Sequence, residues 1–103
     1  MRRGEIWWAD LPAPDGRRPA ILVTRDAAYS VRTSVTLVPL TTRRRGIATE
    51  VPLGPADGVP RACVANADNV TTVLRSRLIR RVGALTPDKL RAVDDALRFA
   101  LAL

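Results

Sequence analysis

The sequence predicts a small, mostly antiparallel β-barrel or curled sheet closed by one C-terminal helix. Short β-prone segments recur between residues 5 and 85, separated by clusters of Gly, Pro, Asp and Asn. Residues 86–103 then change to a helical period. The chain has 103 residues, 47% of them apolar and 26% charged, which is enough for one modest core. Residues 1–103 are therefore read as a single domain.

The first strand is Glu5 to Leu11, short and aromatic. Pro12, Pro14, Asp15 and Gly16 make the turn after it. The second strand, Arg18 to Thr24, is almost continuously apolar, so both of its faces should be covered. Asp26 to Ser30 suits one helical turn with Asp26 near its N-terminus. The third strand is Ser34 to Thr41. Its Pro39 cannot donate to a ladder and predicts an edge or bulge there. Thr42 to Gly46 is a basic loop, Thr49 to Leu53 a short strand, and Gly54 to Pro60 a loop. Cys63–Ala67 and Asn69–Leu74 are strands parted by a bend, and Ile79 to Leu85 is the last strand. The helix starts with Thr86 as cap, Pro87 at its first position and Asp88 at the positive end of the dipole. Leu90, Val93, Ala96, Leu97, Ala100 and Leu101 form its apolar stripe, with Arg91, Asp94, Asp95 and Arg98 on the other side.

Seventeen basic residues against ten acidic give a net charge of +7, and Lys89 is the only lysine. The helical segment is balanced, so the excess lies in residues 1–85. A basic, arginine-rich body with a neutral tail predicts a polyanion-binding surface, because guanidinium pairs two-pronged with phosphate. A GC-rich genome would also enrich arginine, although it would not explain the clustering. One cysteine, Cys63, permits no internal disulfide and suits a reducing cytoplasm. No apolar run approaches the roughly 20 residues of a membrane span, and no secretory signal pattern is visible at the N-terminus.

The composition excludes much chemistry. With no histidine, a Ser-His-Asp triad, a Cys-His pair and a two-histidine ribonuclease site are impossible. A sulfur-imidazole zinc site is excluded as well. No Walker-type phosphate loop is present. Asp94-Asp95, the only adjacent acidic pair, reads as the wet face of a helix rather than as metal ligands. What remains is Arg, Thr, Ser, Asn and a few acids. RNA brings its own nucleophile, the 2′-hydroxyl. An enzyme need only align it and neutralise charge on the phosphoryl oxygens, which Arg and hydroxyl groups can do without a cofactor.

Several segments resemble the MazF/PemK toxin family. They are Arg3-Gly4-Glu5-Ile6-Trp7 with Asp10, Gly16-Arg17-Arg18-Pro19-Ala20-Ile21-Leu22-Val23, Val38-Pro39-Leu40-Thr41-Thr42, Val64-Ala65-Asn66-Ala67-Asp68-Asn69-Val70, and Arg81-Val82-Gly83-Ala84-Leu85-Thr86 with the closing helix. They follow the family's order over essentially the whole chain. The resemblance implies an SH3-like β-barrel, shared with CcdB-type toxins, usually in a homodimer. It implies metal-independent, sequence-selective cleavage of single-stranded RNA, leaving a 2′,3′-cyclic phosphate and a 5′-hydroxyl. It also implies an acidic antitoxin, which agrees with the basic body. The rival readings are a CcdB-like gyrase poison without nuclease activity and a non-catalytic RNA-binding barrel.

By the same resemblance Arg18, which precedes the strand's Pro, matches the catalytic arginine, and Thr41 the catalytic threonine. Thr42 is the rival of Thr41, since a one-residue shift swaps faces. Arg17, Thr42, Arg43, Arg44, Arg45 and Asn69 are expected to contact RNA. For the arginines the bland alternative is a solvated loop, and for Asn69, as for Asn66, a turn residue. Trp7 and Trp8 must point to opposite faces, so one can be core and the other free to stack on a base or a partner. Cys63 reads as a buried strand residue. Arg75 and Arg77 are not assigned to catalysis. The sequence departs from family members that carry a longer first loop with a Glu before the arginine. Only Asp15 stands there, which leaves the identity of any acidic base open.

Overall fold

The computed structural model describes residues 1–103. The strands are β1 (Glu5–Leu11), β2 (Gly16–Leu22), β3 (Ser34–Thr41), β4 (Glu50–Leu53), β5 (Cys63–Asn66), β6 (Thr71–Leu74) and β7 (Leu78–Ala84), followed by helix α1 (Pro87–Leu101). Single 3₁₀ turns occupy Asp26–Ala28, Pro55–Asp57, Ala67–Asn69 and Arg75–Arg77. All pairings are antiparallel, in the order β4-β5-β3-β2-β1-β7, with β6 also on β3. The architecture is the mostly-β fold with a C-terminal helix that the sequence predicts. Its ladder is not closed, because β4 and β7 end it without pairing to each other. Register shifts at Ile6/Trp7 and Trp8/Ala9 in the β1–β7 pair mark bulges, which bend a sheet.

The period-2 alternation of the strands builds an apolar cluster on each face. Ile6, Ile21, Val38 and Leu40 pack with Val51, Leu53, Val59 and Ala65 beneath Val93 and Ala96 of α1. Ala9, Leu11, Ala20, Leu22, Val35, Leu37 and Tyr29 form the other cluster, with Trp7 against it. Both faces of β2 are thus covered, as its unbroken apolar run predicts.

Helix α1 begins as expected: the Thr86 hydroxyl accepts from the Lys89 N–H at 3.3 Å and Pro87 opens the helix. Two expectations for its faces fail. Leu101 is 52% exposed at the edge of the stripe, whereas Ala92 packs beside the core. Asp94 is not on the wet face; its carboxylate accepts from Arg3 Nη2 at 2.7 Å, tying the helix to the N-terminal turn. That turn is close: Gly4 has φ +92, and a Cβ there would stand 3.1 Å from Leu90. Asp26 does not cap its helical turn but accepts from the Arg3 N–H at 2.6 Å. Asn69 lies in a 3₁₀ turn rather than a strand. The buried Asn66 side chain causes this by accepting from the Asp68 N–H at 3.0 Å and capping the turn. No helix is long and apolar enough to cross a membrane.

Candidate active site

β2 and β3 pair from Leu22↔Leu37 as far as Ala20↔Pro39. Beyond Pro39 no β2 pairing continues, while on the other edge of β3 Leu40 and Thr41 pair with β5, opposite Ala65 and Val64. The two strands part like a fork. The mouth of the fork is a cleft of about 270 Å³, lined by Arg17, Arg18 and Pro19 from β2, by Leu40, Thr41 and Thr42 across from them, and by Trp8, Val59, Pro60, Arg61 and Cys63. Arg18 and Thr41 both line the cleft, and Arg18 Nη1 reaches the carbonyl of Leu40, the residue before Thr41, at 3.5 Å. The guanidinium and the hydroxyl expected to act together therefore share one cleft.

Two carbonyls hold Arg18 across the fork. Its Nε donates to the Asp15 oxygen at 2.9 Å, and Nη1 reaches the Leu40 oxygen at 3.5 Å. No carboxylate pairs with it. The four ion pairs, Arg3–Asp94, Arg81–Glu5, Arg91–Asp88 and Arg98–Asp95, lie elsewhere. The remaining N–H groups of Arg18 are available to an anion. The Thr41 hydroxyl accepts from the Arg43 N–H at 3.1 Å, which leaves its own proton to be donated.

Arg17 and Thr42 also line the cleft. Arg43, Arg44 and Arg45 do not; they follow it as an exposed loop whose backbone is tied down. The Glu50 carboxylate accepts from the N–H groups of Arg45 at 3.0 Å and Gly46 at 2.8 Å. Desolvation pushes the Glu50 carboxyl up, but the backbone donors of Arg45, Gly46 and Ile47 outweigh it and hold it below its ordinary value. The structure does not bring Asn69 into the cleft. It borders a separate shallow groove with Leu11, Asp15, Thr71 and Thr72. The Asp15 side chain is on that groove too, so no carboxylate lines the fork.

Sequence reasoning missed Arg61 and did not choose between the tryptophans. Arg61 follows the 54–60 loop, and only the packing of that loop reveals its position. Val59 is buried in the core, and Gly58, at φ +93, lies against the backbone of Gly83, so Pro60 and Arg61 reach the cleft. Trp7 packs on the second cluster and donates its ring N–H to Glu5 at 3.0 Å, leaving Trp8 as the cleft residue. Cys63 is buried as expected yet borders the cleft. Burial, aided by Asp57, pushes its thiol up, which disfavours the nucleophilic thiolate. Nowhere do three His, Cys, Asp or Glu side chains come together as a metal cluster.

Residues 2–101 match the family model described as PemK-like, MazF-like toxin of type II toxin-antitoxin system. Over 100 residues the chain is 40% identical to the probable endoribonuclease MazF5 of Mycobacterium tuberculosis, covering 96% of this chain and 91% of that protein. It is 39% identical over 99 residues to the probable endoribonuclease MazF2 of the same organism, covering 95% of each chain. Among solved structures, M. tuberculosis toxin MazF-mt6 superposes with a TM-score of 0.89 at 34% identity, covering 96% of this chain and 97% of that one. A mycobacterial endoribonuclease solved in complex with its cognate antitoxin gives 0.88 at 34% identity, covering 100% and 96%. With the family model matched nearly end to end, the chain belongs to the PemK-like, MazF-like toxins of type II toxin–antitoxin systems.

Proposed function

We propose that this toxin is an endoribonuclease that cuts single-stranded RNA in the fork between β2 and β3, without a metal ion. The observation that carries this reading is the unpaired Arg18 guanidinium facing the Thr41 side of one open cleft. Arg18 holds the scissile phosphate and neutralises the charge that grows on its oxygens. Thr41, oriented by the Arg43 N–H, donates to a phosphoryl oxygen. The ribose 2′-oxygen attacks phosphorus, the bond to the 5′-oxygen breaks, and the products are a 2′,3′-cyclic phosphate and a 5′-hydroxyl. With no carboxylate in the fork, the 2′-proton leaves to water and the leaving oxygen takes its proton from water. Arg17, Thr42 and Arg61 position the strand, while Arg43, Arg44 and Arg45 meet phosphates beyond the cleft. Asn69 reads a base only if the strand continues into the neighbouring groove.

The whole chain serves as one toxin domain, working in the cytoplasm as a homodimer. Cleavage of messenger RNA, with ribosomal or transfer RNA as further targets, arrests translation and growth. An acidic cognate antitoxin silences it, a pairing that the +7 charge favours. Similar proteins bear the name endoribonuclease, and one was solved with its antitoxin, which supports the same assignment.

The test is to incubate the pure protein with a long RNA in EDTA and analyse the new ends. Cyclic-phosphate ends are expected, and a single 2′-deoxy sugar at the cut site should block cleavage. Cutting at the deoxy site would refute attack by the 2′-oxygen. Loss of cleavage in EDTA that returns with a divalent metal would refute metal independence.

A further inference from the structure

Behind Trp8 the cleft does not end. A second recess of about 490 Å³ shares Trp8, Val59 and Pro60 with it and continues to Arg80 on β7. Trp8 stands between Pro19 of β2 and Arg80 of β7 in the sheet register and lines both spaces. The Arg80 guanidinium lies 5.8 Å from the ring centroid. It belongs to none of the ion pairs, although its neighbour Arg81 is paired with Glu5. No acidic side chain lines the recess, and the nearby Asp57 carboxylate is occupied by the Gly54 N–H at 3.0 Å.

We propose that Trp8 and Arg80 form a second nucleotide subsite, which takes the nucleotide adjoining the cut: its base stacks on Trp8 and its phosphate pairs with Arg80. This rests on the ribonuclease reading of the fork and adds to it a residue pair that positions the strand. The chemistry favours nucleic acid. Every base has a π-face that stacks on an indole, and a free guanidinium over the same ring adds a phosphate contact within one nucleotide's reach. A surface Arg–Trp contact of this kind is weak enough to rearrange when a base arrives. Continuity with the fork gives the strand a path from Arg18 past Trp8 to Arg80.

The test uses an oligonucleotide with several nucleotides on each side of the cut, together with a non-cleavable copy carrying a 2′-deoxy sugar at the cut. The copy should quench tryptophan emission of the wild type. The quench should vanish in Trp8→Phe, where only Trp7 still emits. Trp8→Leu should lower kcat/KM by about five- to a hundredfold. Arg80→Gln changes an exposed side chain and keeps the fold; it should lower kcat/KM several-fold. Removing the flanking nucleotides from one side of the cut, each side in turn, should cost the wild type the same factor on one side only. There the truncation and Arg80→Gln should not multiply. Wild-type kcat/KM in both Trp8→Leu and Arg80→Gln, or losses that multiply fully on both sides, would overturn the subsite and leave the nuclease standing. Quenching by polyglutamate but not by the oligonucleotide would overturn it in favour of a protein partner. A wild type that cuts no RNA would bring down the nuclease reading and the subsite together.

Discussion

Arg18 keeps only two backbone partners and no carboxylate, so deleting it should cost little stability and nearly all activity. Arg18→Ala should lower kcat by about a hundred- to a thousandfold, the usual loss of one preorganised electrostatic donor. An unchanged melting curve beside that loss in a cleavage assay would separate chemistry from folding. Arg18→Lys should rescue poorly, because an ammonium cannot span two carbonyls and a phosphate with a planar fork. Thr41→Ser should retain most activity and Thr41→Val little, since the methyl is expendable and the hydroxyl is not. Glu50 makes a pH prediction at the same scale. Its folded value lies below the ordinary 4.5, so the unfolded chain takes up the proton first as the pH falls. Its contribution is complete above about pH 4.5 and disappears as the pH drops through the folded value. Glu50→Gln should therefore flatten this part of the acid-unfolding curve, and should speed amide exchange at Arg45 and Gly46 at neutral pH. That Arg18, Thr41 and Arg17 belong with one cleft was legible because each sits in a contiguous motif. Arg61 was not, because its only signal is where the preceding loop folds back.

The fork is a property of two elements. β3 serves β2 on one edge and β6 then β5 on the other, and Pro39 marks where it changes company. The missing N–H made an irregularity readable in the sequence, but which partner strand β3 would take next depended on residues far along the chain. Helix α1 was legible from its cap to its apolar stripe. Its exposed C-terminal Leu101 was not, because periodicity places a residue on the stripe without fixing how much of the stripe the core covers. Thr86→Ala should cost about 1 kcal/mol by removing the N-cap. Ile21→Ala, at a fully buried position on β2, should cost roughly 2–5 kcal/mol. Denaturant unfolding measures both. The Ile21 variant should also lose activity out of proportion to its unfolded fraction, because β2 carries Arg18.

Across the whole molecule most of the positive charge is unpaired. Only Arg3, Arg81, Arg91 and Arg98 are paired with carboxylates; the other arginines, among them Arg17, Arg18, Arg61 and Arg80 around the clefts, are in no ion pair. Binding of a non-cleavable oligonucleotide should therefore weaken steeply with salt, log K falling by about 0.7 per phosphate contacted for each unit of log salt. Fluorescence anisotropy over a salt series measures the slope. A slope near zero would count against the basic groove. The order of the elements, the apolar faces, the excess of arginine and the family motifs were set by the sequence alone, because each depends on residues near one another along the chain. The opening of the fork, the entry of Arg61 and Trp8 into it, the separation of Asn69 from it and the engagement of Asp94 by Arg3 were decided by the tertiary structure. Each of these joins segments whose distance in space follows from strand pairing and core packing, which local spacing does not encode.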